Sequence, residues 1–358
     1  RTFLAELEFL VPDTRFPQRL PIGTDKVITT ADRDRFVSFY DAWYRPERMI
    51  LVLVGDLSPD AVTPLVQELF APLAARSPAL PEPRLGTVTP TDEITAHLHT
   101  EKEAGNTTVA LETVAPYKFE PDNSAARLRD LPRTLALQML NRRLSVLAKQ
   151  PGAPFLSGLV GVTEQFDFFR NASIELNCRP DQWSAALAVA EQELRRALEH
   201  GFLPEELAEA VAGMKNQLAQ AVRTAPTRRS PTLADALVDD ILGREVTLSP
   251  AAELALYSPA LATSTPADCL AALRATWSEA AGRKLFVSGN LELSGAAQKI
   301  AAAYQTSQRT PVSPPVPTAT PAFAYTDFGK PGKVDETASV EDLGVTLLEF
   351  KNGVRLNL

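Results

Sequence analysis

Two stretches of this chain carry one spacing. WYRPERMILVLVGD runs from Trp43 to Asp56 and WSEAAGRKLFVSGN from Trp277 to Asn290. Each passes from a helix end through a turn into an apolar strand closed by a glycine, Gly55 or Gly289. In the first, Thr29 or Thr30 is placed to cap a helix in which Phe36, Phe39, Tyr40 and Trp43 recur at helical spacing. Pro46 stops that helix, and residues 49–54 form a continuous apolar run, short and rich in branched side chains, which predicts a buried strand. Ser58-Pro59 then opens a helix with Val62, Leu65, Val66, Leu69 and Phe70 on one face. In the second, Thr265-Pro266 caps a helix whose Leu270, Leu273 and Trp277 take the places of Phe36, Phe39 and Trp43. Residues 285–287 supply the strand, and the helix that follows ends near Tyr304. A match of cap, apolar phase, strand and following helix over roughly forty residues restricts the chain to a fold with internal duplication.

The 358 residues suffice for about two domains of ~150 residues. Apolar content of 45% against 22% charged residues supports sizeable cores. A net charge of −8 argues against nucleic-acid binding, which calls for a basic excess or stripe. No uncharged apolar run approaches the ~18 residues of a membrane span. Cys178 and Cys269 stand too far apart for metal-ligand spacing or a disulfide framework. The chain starts at Arg1 without a signal-peptide pattern and stops in the open pattern TLLEFKNGVRLNL, so both ends are expected to cut a longer polypeptide.

Between the repeated stretches, residues 93–100 and 107–114 alternate as half-buried strands, and residues 155–162 and 172–178 read as two more. A long helix is expected over residues 128–147, with Pro132 early and Leu135, Met139, Leu140, Leu144 and Leu147 on its apolar face. Residues 183–198 form an amphipathic helix ended by His200-Gly201, and residues 207–222 and 233–242 give two further helices. Strands in runs and helices in runs imply an α+β fold. Residues 310–331 are proline-rich and read as an extended linker. Beyond it, residues 344–358 alternate around Asn352-Gly353, a strong hairpin signal.

At this point the motifs carry a resemblance. Arg19-Leu-Pro-Ile-Gly23, Phe39-Tyr40-x-x-Trp43-Tyr44-x-Pro46 and Val54-Gly55-Asp56 resemble the later part of the catalytic domain of pitrilysin/insulinase zinc metallopeptidases. Met139-Leu140-Asn141-x-Arg143-Leu144, Gly201-Phe202-x-x-Glu205-Glu206-Leu207 and Thr227-Arg228-x-Ser230 resemble the non-catalytic domain that follows it, and Lys351-Asn352-Gly353-Val354 a domain-opening hairpin. The resemblance covers most of the chain, and the order of the motifs is more specific than any one of them. It implies repeated two-layer α+β domains of the LuxS/insulinase type, each a mainly antiparallel sheet covered by helices, which together enclose a peptide. The implied division is the end of a catalytic-type domain in residues 1–85, a complete non-catalytic domain in 86–308, a linker in 309–336 and the opening hairpin of a third domain in 337–358.

The activity implied by the resemblance needs His-x-x-Glu-His on a helix, two histidines holding zinc and a glutamate activating water. The only histidines are His97, His99 and His200, none at that spacing. Zinc is therefore expected in the full-length protein, with ligands upstream of Arg1, and no catalytic or metal-binding residue is expected here. Glu6 and Glu8 are the in-chain carboxylates nearest to the expected third ligand. His97 and His99 share one strand face, for which a solvated surface is preferred to a metal site. Arg142-Arg143 and Arg228-Arg229 suit a helix surface or a cap better than a peptide-carboxylate site, and Glu205-Glu206 suits the positive end of a helix dipole. Gly23 and Gly55 sit where turns call for positive φ, and Trp43 and Trp277 read as core. Implied partners are peptide substrates and the missing N-terminal and C-terminal parts, with a homodimer as a further option. No nucleic-acid partner and no membrane span are expected. The family's bacterial members suggest a periplasmic or exported location. The alternative function is a family member without catalysis that serves as partner subunit or scaffold. A generic α+β binding module would require the ordered motifs to be coincidental.

Overall fold

The computed structural model describes residues 1–278, 282–317, 325 and 327–358. The turn residues 279–281 of the second repeat, and residues 318–324 and 326 of the expected linker, lie outside the described residues. Two compact units, residues 1–315 and 316–358, are considered separately.

The chain opens with α1 (Thr2–Leu10), α2 (Asp25–Thr30), α3 (Arg33–Trp43) and α4 (Pro59–Phe70). The expected caps Thr29 and Thr30 instead end α2, which Thr24 caps, while Asp32 caps α3 by accepting from the Arg35 amide at 2.9 Å. The break arises because Ala31 is extended and a carboxylate follows directly, offering a better cap to the next helix. A second correction concerns residues 49–54. They are not a buried strand: no strand pairing is formed there, and Met49, Ile50, Leu51 and Leu53 are about half exposed or more. A strand exists only through hydrogen bonds to a neighbour, and among the described residues no backbone ladder bonds join this run to another segment. Gly55 likewise lacks positive φ, whereas Gly23 has φ +75°.

A sheet then forms from β1 (Ile94–Thr100), β2 (Thr107–Pro116), β3 (Ser157–Gln165), β4 (Phe169–Cys178) and β5 (Arg283–Gly289), in the order β1-β5-β2-β4-β3. Only the β1–β5 pair is parallel; the rest are antiparallel. The helices are α5 (Ser124–Leu147), α6 (Trp183–His200), α7 (Pro204–Thr224), α8 (Ser230–Leu242), α9 (Pro250–Thr263), α10 (Pro266–Ser278) and α11 (Ala296–Gln308). The fold is α+β. Leu135, Met139, Leu140 and Leu144 of α5, Leu187 and Leu194 of α6, Leu273 and Trp277 of α10 and Ile300 of α11 form one core with Val109, Leu111, Ile174, Leu176, Leu285 and Val287 of the sheet. Period-2 alternation makes one sheet face apolar and leaves the other polar.

The long helix begins earlier than its apolar pattern does, because Asn123 caps it by accepting from the Ala126 amide at 3.0 Å. Thr265 and Asp268 cap α10 reciprocally, so this expected cap is present. The two Trp corners share their order of helix, extended segment and helix. In each, an arginine guanidinium covers the indole: Arg48 over Trp43 at 5.0 Å and Arg283 over Trp277 at 5.4 Å. They differ in that β5 is paired within a sheet and residues 49–54 are not.

In the second unit, β6 (Val334–Val340), β7 (Val345–Phe350) and β8 (Arg355–Asn357) form an antiparallel meander. Asn352-Gly353 turns β7 into β8, with Gly353 at φ +80°.

Candidate functional site

The polar face of the five-stranded sheet is where this chain gathers chemistry. Alternation places His97 of β1, Lys284 and Phe286 of β5, Glu112 of β2, and Asn171, Ser173 and Glu175 of β4 on it. Helix α1 lies across this face, with Leu7, Leu10 and Val11 packed on Val114 and Phe169. Phe9 stacks on His97 and Phe286 with ring centroids 5.6 and 6.0 Å apart. The Lys284 ammonium sits 5.0 Å from the Phe9 ring and donates to the Phe9 carbonyl at 3.1 Å. Just beyond α1, Phe16 stacks on Phe166 at 4.4 Å. Phe166 and Asp167 turn β3 into β4 with φ of 56° and 53°, a conformation strained for a side chain as bulky as phenylalanine. Stacking on Phe16 helps to offset that strain.

Electrostatics under α1 are unusual. Glu112 is fully buried, and burial together with the facing Glu6 pushes its carboxyl up to about 8. Burial and Glu175 push Glu6 up to about 7. Burial lowers Lys284, and burial with the neighbouring His99 lowers His97. Perturbed carboxyls mark functional sites or structural clusters, and accessibility decides between the two. Glu112 has no solvent access, so no substrate reaches it. Buried Cys178 and Cys269 are pushed up to about 11 by desolvation, which makes both thiols poor nucleophiles.

The remaining sequence candidates have structural partners. Glu6 joins the acid cluster, while Glu8 is exposed. His97 and His99 share a strand face as expected; His97 is exposed, with Phe9 stacked on its ring, and His99 is half-buried. His99 lies 3.9 Å from Glu101. His200 meets the Val312 carbonyl at 3.1 Å, and Arg195 and Arg196 donate to the carbonyls of Thr310 and Ser313, so this part of the expected linker is held on α6. Arg143 grips Glu206 through two bonds of 2.6 and 2.7 Å, donates to the Gly201 carbonyl and covers Phe202. Glu206 in turn accepts from the Leu203 amide at 2.8 Å, closing the N-terminus of α7. Arg142 pairs with Glu209 in solvent, and Arg228 and Arg229 are exposed. Asn141, in the same motif as Arg143, exchanges two 2.8 Å bonds with the amide and carbonyl of Val160. These fill the middle of the free edge of β3 and block pairing there.

Among the described residues, no three His, Cys, Asp or Glu side chains are grouped to hold a metal ion. Buried Glu112 accepts from the Asn171 amide and half-buried Glu175 from the Ser173 hydroxyl.

The helical layer, the mixed sheet and the motif positions define an M16-type peptidase-like domain. The family described as the Peptidase M16 inactive domain matches residues 30–214, and the chain belongs to the M16, or pitrilysin/insulinase, family. Among curated proteins it is similar to "Probable zinc protease PqqL" of Escherichia coli K12, at 25% identity over 256 residues, covering 70% of this chain and 27% of that protein. It is also similar to "Zinc protease PQQL-like" of Arabidopsis thaliana, at 27% identity over 156 residues, covering 42% of this chain and 16% of that one. In structure it is similar to the periplasmic protease PqqL from Escherichia coli, with a TM-score of 0.75 and 20% identity, covering 100% of this chain and 40% of that one. The chain thus spans about a quarter of the length of that curated relative. No helix among the described residues is long and apolar enough to cross a membrane.

Proposed function

We propose that this chain is the non-catalytic segment of a zinc metalloendopeptidase that encloses and hydrolyses peptides or small unfolded proteins. The observation that carries the reading is the match of residues 30–214 to an inactive M16 domain, in a chain whose relatives are zinc proteases. On this reading residues 1–85 end a catalytic-type domain, residues 86–308 form the second domain, 309–336 link onward and 337–358 open a third. Zinc and its ligands belong to other parts of the longer protein, and the chain alone is inactive.

The chain's own contribution is mechanical. A sheet backed by helices over a continuous apolar core gives a stiff wall. Enclosure selects by size: an extended peptide enters a closed shell, and a folded globule does not. Asn141 keeps the β3 edge from competing for extended chains. The periplasmic location of the Escherichia coli relative supports an exported location here.

The test is peptidase assay of the longer polypeptide containing this segment, on unstructured peptides and on a folded globular substrate, with and without a chelator. Cleavage of the former alone, abolished by chelation and restored by zinc, is expected. Absence of chelator-sensitive cleavage would favour the scaffold role, and equal cleavage of folded substrates would overturn enclosure.

A further inference from the structure

Glu112 stands at the centre of the sheet, in register with Lys284 of β5 on one side and Ser173 of β4 on the other. Its Oε1 accepts from Asn171 Nδ2 at 2.8 Å. Its Oε2 and the Oδ1 of the same Asn171 are both buried and both without a hydrogen-bond partner. An ionised carboxylate is acceptor-only, so it leaves Glu112 Oε2 and Asn171 Oδ1 without a donor in a site closed to solvent. A protonated carboxyl changes this: the Oε2 hydroxyl becomes a donor and the Asn171 oxygen its acceptor. One proton then satisfies two orphaned atoms. We propose that native Glu112 is a neutral carboxylic acid joined to Asn171 by two reciprocal hydrogen bonds, and that this pair is a proton-operated latch seating α1 on the sheet.

The surroundings explain why charge here acts on α1. From α1, Glu6 faces Glu112, and from β4 comes Glu175, whose carboxylate accepts from Ser173 at 3.2 Å. From β5, Lys284 is set against this group; its ammonium is directed to the Phe9 carbonyl, and Asp13 also acts on it. From β1, His97 lies under Phe9 and feels Glu8. With Glu112 neutral, α1 brings Glu6 against a face carrying Glu175 and Lys284. With Glu112 ionised, a buried negative charge is added directly beneath Glu6. The least costly relief is to lift α1, whose departure admits water.

The sign follows from the direction of the shifts. Glu112 is raised to about 8 and Glu6 to about 7 in the folded protein, so the folded state binds the extra protons. The stability they contribute is fully present below the unfolded carboxyl value, near 4.5, and is lost as pH rises through 7 and then 8.

The experiment uses the whole 358-residue protein. Carbon-detected NMR of the glutamate carboxyls follows Glu112 directly, and hydrogen exchange follows the amides of α1, corrected for the intrinsic pH dependence. Glu112 is expected to stay protonated at pH 6 and to titrate above neutrality. Protection of α1 should drop by about tenfold or more between pH 6 and 9, since one pH unit of linked proton release corresponds to a factor of ten. E112Q, which keeps an amide-to-amide pair with Asn171, should remove the upper part of that loss, and the E6Q/E112Q double substitution should flatten it. Titration of Glu112 in the ordinary carboxylate range overturns the proposal, and so does a double variant with the wild-type pH profile. The NMR titration needs no variant, so it decides the question even if a substituted chain folds poorly.

Discussion

Adjacent arginines on one helix, Arg142 and Arg143, should differ severalfold in what they contribute to stability. Arg143 is 10% exposed and its partner Glu206 is 19% exposed; the Arg142–Glu209 pair is 53% and 59% exposed. Arg143→Ala removes a two-bond grip on a carboxylate, the donor to the Gly201 carbonyl and the cover over Phe202. Removing one partner of a buried pair costs about 3–5 kcal/mol, because the other charge stays behind. Glu206 keeps the Leu203 amide as a donor, which moves the expectation to the low end, about 3 kcal/mol. Arg142→Ala removes a solvated pair, with an expected cost of about 0.5 kcal/mol. Arg143→Lys keeps the charge but loses the planar fork and should fall between the two. Urea denaturation followed by circular dichroism reads all three as shifts in midpoint at constant slope. If Arg143→Ala and Arg142→Ala agree within about 0.5 kcal/mol, the reasoning that burial makes this motif arginine a brace between α5 and the α6–α7 junction is wrong.

Other consequences follow from the same geometry. Asn141→Leu uncovers the amide and carbonyl of Val160, so it should cost about 2 kcal/mol and promote concentration-dependent self-association, read by denaturation and size-exclusion chromatography. Unchanged stability and a monomeric profile would refute the edge-blocking role. Gly282→Ala would drive a methyl into the Thr91 carbonyl oxygen and set it 2.7 Å from that of Glu93. Both are backbone atoms, so the turn into β5 must shift at a cost of about 2 kcal/mol or more, measurable as a lower thermal midpoint.

The sheet strands, the long helix and the final hairpin were legible in the sequence because their periods and turn residues are local. The 24-residue α5 shows its apolar face in Leu135, Met139, Leu140 and Leu144, all buried. Residues 49–54 misled for a physical reason: an apolar run announces a preference for burial, but whether a strand forms depends on neighbours elsewhere in the polypeptide. Helix α9 carries weak periodicity, with Leu261 its one buried residue and Pro259 inside it, so its pattern does not announce a helix. The β3–β4 turn lacks the glycine that would announce it, since Phe166 and Asp167 hold the positive φ angles. The acid cluster was illegible because Glu6, Glu112 and Glu175 come from three separate elements, α1, β2 and β4. The one local hint was Glu112, a lone carboxylate inside a strand, Thr107–Pro116, that is buried on both faces. Arg143 and Glu206 were visible as motif residues, yet only the fold shows that they bind each other.

The central claim is that this chain supplies walls to an M16 peptidase while its metal chemistry resides elsewhere in the longer protein. Zinc titration of the 358-residue chain by calorimetry tests that claim directly. The account predicts no stoichiometric binding and no change in thermal midpoint on adding zinc or a chelator. One equivalent bound with sub-micromolar affinity, with a matching rise in midpoint, would contradict it.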